Sequence, residues 1–365
     1  MRINLIFFIS EFNLGGAGNS IFKLCKNLPK KNYKISVICL NKCYYKKKLN
    51  KNKIKVYEIK SSRTLFAMAK IRKLTKKIIG NNSKNIFVSN IYFSNILSVL
   101  FLRNLRMKLV LIERTPHQEL SIYYNIFDFL KKNILKILID FTFSKADICV
   151  SNSKFISQEY NKNYKLNFIT IHPPSFSGKI YLKNKKSIKN NIIFGTVCRL
   201  SKEKNLANLI TCFSNFKKKF YFHIIGDGPE KLKLIKLVKK LDLEDQIKFF
   251  GKVSPEKISF NLKKLDFYIN SSDFEGFPNS VVEALSHNIP VIASQSYGGI
   301  NEILINKKFG YIYSSENELK KILNKIIFRK VNFKLNKTIL FNHLNKFSEN
   351  ENHKKYDSLF NQLHK

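Results

Sequence analysis

At 365 residues the chain is too long for one ordinary core and about right for two α/β domains. A hydrophobic fraction of 44% and a charged fraction of 25% exclude large-scale disorder. Sixty-six Lys+Arg against 25 Asp+Glu give a formal charge of +41, enough to attract anionic partners from a distance.

The charge is uneven, because the only acids before Glu113 are Glu11 and Glu58. A basic N-terminal half reads either as attraction to something negative or as a Lys/Asn bias on solvated surfaces. In chain order, Met1 to Ile9 is apolar but runs into Ser10-Glu11-Phe12-Asn13 without a small-residue cleavage site, so it reads as a strand, Ile3–Ser10, and not as a signal peptide. A glycine loop and a helix from about Ser20 to Leu28 follow, giving the start of a βαβ pattern. Further strands are expected at Lys34–Leu40, Lys55–Ile59, Ile86–Ser89, Lys108–Ile112, Ile148–Ser151 and Phe168–Ile171, which suit a mostly parallel sheet. Segment Ala67 to Ile79 carries an apolar stripe beside a cationic face. That pattern fits an anionic membrane surface or an ordinary crossover helix. The longest apolar stretch, Ile86 to Leu102, is broken by Ser89, Asn90, Ser94 and Asn95 and makes a poor membrane span.

Between His172 and Asn191 two prolines and a Lys/Asn-rich run exclude helix and mark an interdomain linker, set at 176–190. A second alternating series then places strands at Ile192–Val197, Tyr221–Gly226, Ile247–Phe250, Phe267–Asn270 and Val291–Ser294. Helices between them start near Asn205, Pro229, Ser254, Ser280 and Ile300. The expected organisation is a domain over 1–175, the linker, a domain over 191–345 and a C-terminal helix over 346–365. That helix has apolar points at Tyr356, Leu359, Phe360 and Leu363, spaced to pack on a neighbour. The six cysteines form no C-x-x-C pair and read as small buried hydrophobes, in keeping with a reducing cytoplasm.

Three clusters carry chemistry. Gly15-Gly16-Ala17-Gly18, between a strand and a helix, either cradles a phosphate or serves a turn that needs glycine for its dihedrals; Ile21 stands where a dinucleotide fingerprint would have its third glycine. Next, a buried strand runs into a loop with Arg199 and Lys204 ahead of a helix, a set that would collect a diphosphate. Finally, Asn270 to Ala284 delivers Glu275 from a strand end and Glu283 from the next helix, with backbone N–H groups of Gly276, Phe277, Pro278-flanked Asn279 and Ser280 between them. Two carboxylates there suit the hydroxyls of a polyol. Ser280-x-x-Glu283 is also a capping box, so Glu283 reads equally as a cap or a ligand contact.

Taken together, Arg199 and Lys204, Ile225-Gly226-Asp227-Gly228-Pro229-Glu230, Gly251-Lys252-Val253, Glu275 to Ala284 and Gly298-Gly299-Ile300-Asn301-Glu302 resemble the GT-B glycosyltransferases of family four, in order and in spacing. The resemblance is strongest from Ile192 to Tyr313. It implies two Rossmann-like domains facing across a cleft, the C-terminal helix packing back on the N-terminal domain, and transfer from a nucleotide-diphosphate sugar with retention at the anomeric carbon. It further implies that Arg199 and Lys204 neutralise the leaving diphosphate, Glu283 holds the ribose, Glu275 holds the donor sugar, Gly16 approaches the diphosphate and the main chain near Val253 meets the base. Gly276, Phe277, Pro278 and Asn279 would line the same donor site. No Asp-x-Asp motif occurs, and no metal ion or other cofactor is expected. The acceptor would be a glycan or lipid-linked sugar for cell-surface polysaccharide, handled in the cytoplasm or on the inner face of its membrane. One departure stands at the end of strand Lys108–Ile112, where many members carry a histidine and this chain has Glu113-Arg114-Thr115-Pro116-His117, which resembles a subset with Glu-Arg-x-x-Pro but sets its proline one residue earlier. Arg114 is an acceptor-side candidate there, and His117 reads rather as a surface loop residue.

Two rivals remain: a GT-B epimerase or phosphorylase, which shares the fold, and a basic nucleic-acid-binding protein, which the charge and runs such as Tyr44-Tyr45-Lys46-Lys47-Lys48 suggest. No nucleic-acid motif accompanies the second, and no nucleic-acid partner is expected.

Overall fold

The computed structural model describes the chain apart from Met1, Leu14, Tyr124, 182–190, 217–219, 306–307, 329–332 and Lys365, and of Pro255 and Glu256 only the backbone. It divides into two units, Met1–Pro174 with Phe347–Lys365, and Ser175–Lys346.

In the first unit seven strands, β1 (Ile3–Ile9), β2 (Tyr33–Cys39), β3 (Lys55–Glu58), β4 (Asn85–Asn90), β5 (Lys108–Glu113), β6 (Ile148–Ser151) and β7 (Phe168–Thr170), alternate with helices α1 (Gly16–Asn27), α2 (Lys46–Lys51), α3 (Thr64–Ile79), α4 (Tyr92–Leu102), α5 (Ile126–Phe143) and α6 (Lys154–Tyr164). The sheet order is β3-β2-β1-β4-β5-β6-β7, and every pairing is parallel. All seven residues of β1 are buried. A parallel strand covered on both faces needs a continuous apolar run, and alternate residues then serve different cores. Leu5, Phe7 and Ile9 enter a core with α1, whereas Ile6 and Phe8 enter one with α3, α4, α5 and α6.

The second unit repeats the plan with β8 (Ile192–Val197), α7 (Leu206–Phe213), β9 (Phe220–Ile225), α8 (Lys231–Lys240), β10 (Ile247–Gly251), α9 (Pro255–Leu262), β11 (Phe267–Asn270), β12 (Phe274–Glu275), α10 (Asn279–Ser286), β13 (Val291–Ser294), β14 (Tyr297–Gly298), α11 (Ile300–Ile303), β15 (Gly310–Tyr313), α12 (Glu316–Ile327) and α13 (Lys337–Leu344). Its main sheet runs β10-β9-β8-β11-β13-β15, and β12 pairs with β14 apart from it. The chain then returns to the first unit in α14 (Glu349–Gln362). Ser348 caps α14 by accepting from the Glu351 N–H, and Tyr356, Leu359 and Phe360 are buried with β1 and α1 residues. The two Rossmann-like units and the returning helix agree with the expected fold.

Several expectations change in detail. Helix α1 begins at Gly16, four residues earlier than periodicity placed it, because its first turn is built from the glycines themselves; a Cβ on Gly18 would lie 2.2 Å from the Asn13 carbonyl oxygen. The apolar stripe of Ala67 to Ile79 is buried: Ala67, Met68, Ile71, Thr75 and Ile79 face the core. It therefore belongs to a crossover helix, and the exposed residues of that segment are Ala69, Lys70, Lys73, Lys76 and Lys77. Of the expected linker 176–190, Phe176 is fully buried and Tyr181 stacks on His287, so its first residues pack into the second unit; 182–190 lie outside the described residues. Five cysteines are buried and Cys198 is half-buried, and all six are free thiols.

Candidate active site

The second sheet changes direction between β8 and β11, its two central strands. At such a switch point the loops leaving neighbouring strands diverge and open a crevice at their carboxyl ends. Residues Arg199 to Lys204 leave β8, and Ser271 to Glu275 leave β11.

The β8 loop is shaped by the glycine motif after β9. Gly226 has φ +143°, and a Cβ there would meet the Cys198 carbonyl oxygen at 1.8 Å; one on Gly228 would meet the Leu200 oxygen at 2.4 Å. The loop also bonds through Leu200 N–H to the Asp227 carbonyl (3.0 Å) and through Glu230 N–H to the Leu200 carbonyl (2.9 Å). Only glycine permits this backbone approach. Arg199 is thereby presented to solvent, its guanidinium without a partner among the described residues.

Lys204 behaves differently. It closes a 3-10 turn over Lys202–Lys204, and its ammonium lies 3.1 Å from Glu275 Oε1 with both side chains mostly buried. Burial, the largest influence, pulls its pKa down, but Glu275 and Cys198 together more than offset it and hold the amine above its ordinary value. The other Glu275 oxygen accepts from Asn270 Nδ2 and Ser272 Oγ, each at 3.1 Å. Ser271 Oγ ties the two loops by donating to the Lys204 carbonyl (2.7 Å). Arg199, Lys204 and Glu275 thus sum to one positive charge, with Arg199 the uncompensated member.

Glu275 sits in the β12–β14 ladder, opposite Gly298. Gly298 has φ +137°, and a Cβ there would fall 1.5 Å from the Glu275 carbonyl oxygen. After Gly276, Phe277 and Pro278, all buried, the chain enters α10 at Asn279, whose Oδ1 accepts from Ser175 Oγ. The capping box does not form at Ser280. The helix is already running there, Pro278 is the N-cap, no side chain caps it, and the Ser280 hydroxyl accepts instead from Tyr268 OH at 2.8 Å. Glu283 stands half-buried one turn into α10, its carbonyl accepting from His287 Nδ1 (2.8 Å). Val253, half-buried, follows β10 two strands from β8. Gly16 is in the first unit, exposed at the uncapped start of α1.

Also in the first unit, Glu113 ends β5 with its side chain fully buried. Its Oε1 accepts from the Arg114 and Thr115 N–H groups at 2.9 and 3.0 Å, yet burial outweighs them and pushes the carboxyl up to about 7. Arg114 faces a small cavity shared with Ser20, Asn152, Pro174 and Tyr356. His117 is not a surface loop residue as expected: it packs edge-on to Tyr164 at 5.4 Å, and burial lowers its pKa. Sequence reasoning missed Asn270, Ser271 and Ser272, which hold the Lys204–Glu275 pair. Their signal was a run of short polar residues directly after a buried strand.

The chain is similar in part to known proteins. Residues 179–339 match the family described as glycosyl transferases group 1. An N-acetylgalactosamine-N,N'-diacetylbacillosaminyl-diphospho-undecaprenol 4-alpha-N-acetylgalactosaminyltransferase of Campylobacter jejuni is 28% identical over 191 residues, 50% of this chain and 51% of that one, so the matched segment spans about half of that relative. An uncharacterized glycosyltransferase of Haemophilus influenzae is 26% identical across 85% of this chain and 86% of its own. The fold of Anabaena HepE, solved in complex with UDP and glucose, superposes with a TM-score of 0.79 at 16% identity, covering 99% of this chain and 100% of that one. The chain has the GT-B fold, and residues 179–339 of its second unit are similar to the group 1 glycosyl transferases.

Proposed function

We propose that this protein transfers a sugar from a nucleotide-diphosphate donor to a glycan or lipid-linked sugar, with retention of anomeric configuration and without a metal ion. The observation that carries the reading is the pairing of Lys204 with Glu275 beside an unpaired Arg199 at the switch point of the second sheet. A donor seated there would set its diphosphate against Arg199 and Lys204 and its sugar hydroxyls against Glu275. As the bond from the anomeric carbon to phosphate oxygen breaks, the electron pair moves to the phosphate, and preorganised cations stabilise that charge most where it is largest, in the transition state. Glu283 would hold the ribose, the main chain at Val253 the base, and Gly16 would serve the diphosphate from the first unit.

A lipid-linked acceptor is supported by the Campylobacter relative, whose name specifies a diphospho-undecaprenol-linked sugar, and a uridine nucleotide by HepE, solved with UDP. The reading places the enzyme at the inner face of the cytoplasmic membrane, in polysaccharide synthesis. The test is incubation with a panel of nucleotide sugars and polyprenyl-diphosphate sugars, with the anomer of any product read by NMR. Nucleotide-sugar isomerisation or phosphorolysis with no transfer would replace this reading by an epimerase or phosphorylase on the same fold.

A further inference from the structure

Helix α5 carries apolar residues on two opposite sides, yet only one of them is covered. Leu135, Ile139, Thr142 and Phe143 are buried in the core. On the opposite side Ile126, Phe127, Leu130, Ile134, Ile137 and Phe141 are all exposed, Phe127 at 79% and Ile137 at 69%. At roughly 100° per residue these six fall within one arc about 100° wide, a continuous stripe along the helix. Six large apolar side chains lined up in water mark a contact surface, unlike apolar residues scattered singly.

The surroundings are mainly cationic, with Asp140 exposed on the other flank of the stripe. Lys131 is exposed beside the stripe, Lys145 lies 3.0 Å from the centroid of Phe141, and Lys136 donates to Tyr123 OH at 2.9 Å near its start. Helix α4 lies between α5 and α3, with Phe93 and Leu100 exposed on α4 and Lys70, Lys73, Lys76 and Lys77 exposed on α3. Residues 1–112 hold 24 Lys and Arg against Glu11 and Glu58 alone. Five charged residues within α5 prevent it from crossing a bilayer, and no helix of the described residues is long and apolar enough to do so. A helix with an apolar stripe, flanking lysines and no capacity to span is built to lie in the plane of a membrane interface.

We propose that the exposed face of α5 docks on an anionic phospholipid bilayer, the six apolar side chains entering the headgroup boundary and the lysines meeting lipid phosphates. Because α5 follows β5, its first turn lies toward the carboxyl edge of the first sheet, the edge that carries Gly16 and Arg114. Docking through Phe127 and Ile126 brings that edge to the lipid surface. This deepens the membrane part of the functional reading above, and its test uses no donor sugar, so the two stand or fall separately.

The chain contains no tryptophan, so one substitution makes a site-specific reporter. Phe127→Trp and Ile137→Trp, each in the full chain, are titrated with vesicles of equal phosphatidylglycerol and phosphatidylcholine, and with phosphatidylcholine alone. Phe260→Trp, exposed on α9 in the second unit, is the control. Blue-shifted emission for both α5 reporters with anionic vesicles, weakened at least tenfold in lipid affinity by neutral vesicles or high salt and absent for Phe260→Trp, is the expected result. Phe127→Glu with Ile137→Glu should lower vesicle-bound protein at least tenfold at unchanged melting temperature, since neither side chain is in the core. No shift for the α5 reporters, an equal shift for the control, or a concentration-dependent shift without lipid, which would mean that a second copy covers this face, overturns the proposal.

Discussion

Lys204 and Glu275 face each other at 3.1 Å, and the pair is braced from the β11 side by Asn270, Ser272 and Ser271. Position 275 is therefore part of the local scaffold as well as a group that can meet a sugar.

Glu275→Ala is expected to abolish most transfer and also to destabilise the second unit by roughly 3 kcal/mol, because it leaves a mostly buried ammonium without its counter-ion. This departs from the expectation for a loop carboxylate, which would affect turnover alone. Urea unfolding and the transfer rate, measured on the same preparation and repeated with Lys204→Met/Glu275→Ala, check it. The double substitution should recover part of the stability and none of the activity; a Glu275→Ala protein as stable as the parent would remove the structural half of the claim.

Gly298→Ala should unseat Glu275 from behind. Its positive φ and a Cβ 1.5 Å from the Glu275 carbonyl oxygen leave the β12–β14 ladder no way to stay closed. A loss of about 3 kcal/mol or more accompanies strain of that kind, with transfer falling in step. Full activity at an unchanged melting temperature would mean that the ladder does not position Glu275.

Much of this was legible in sequence. Strands such as Ile192–Val197 and Phe267–Asn270 were fixed by short β-branched and aromatic runs between turn residues, and their parallel order by alternation with helices. The two-residue strands β12 and β14 were not, since two residues carry no period, and β15 begins with a glycine that reads as a turn. Which side of a helix is covered is likewise a tertiary fact: α3 showed an apolar stripe that proves to be core, while α5, apolar on two opposite sides, gave no sign of which would be left in water. The capping-box pattern at Ser280 failed for a local reason, the Tyr268 hydroxyl having claimed the serine.

Glu283→Gln should weaken nucleotide-sugar binding about tenfold or more with the melting temperature unchanged, since the helix cap does not use this residue and a neutral amide is a poorer acceptor for ribose hydroxyls. Calorimetric titration beside a thermal melt decides it, and undiminished affinity would move the ribose elsewhere.

Glu113 makes stability depend on pH. Its carboxyl ionises near its ordinary 4.5 when unfolded and near 7 in the fold, so its contribution is fully present below about pH 4.5 and is lost as pH rises to about 7. The span corresponds to roughly 3 kcal/mol. Glu113→Gln keeps an acceptor for the Arg114 and Thr115 N–H groups and cannot ionise, and the otherwise unpartnered Asn95 Oδ1 beside it offers the new amide a site. The variant should gain on the parent between pH 5 and pH 8 in denaturant midpoint. Parallel pH curves for the two proteins would show that Glu113 does not titrate in this window.

The most direct measurement is calorimetric titration of UDP and a panel of nucleotide-diphosphate sugars in EDTA, comparing the parent chain with Arg199→Ala. If the diphosphate is met by side-chain cations at the β8–β11 switch point, at least one of these ligands binds with all divalent metal removed. Arg199→Ala then loses about thirtyfold in affinity or more with no change in melting temperature, because the arginine is exposed and unpaired. Binding that appears only on adding magnesium or manganese, or that Arg199→Ala leaves intact, would contradict it.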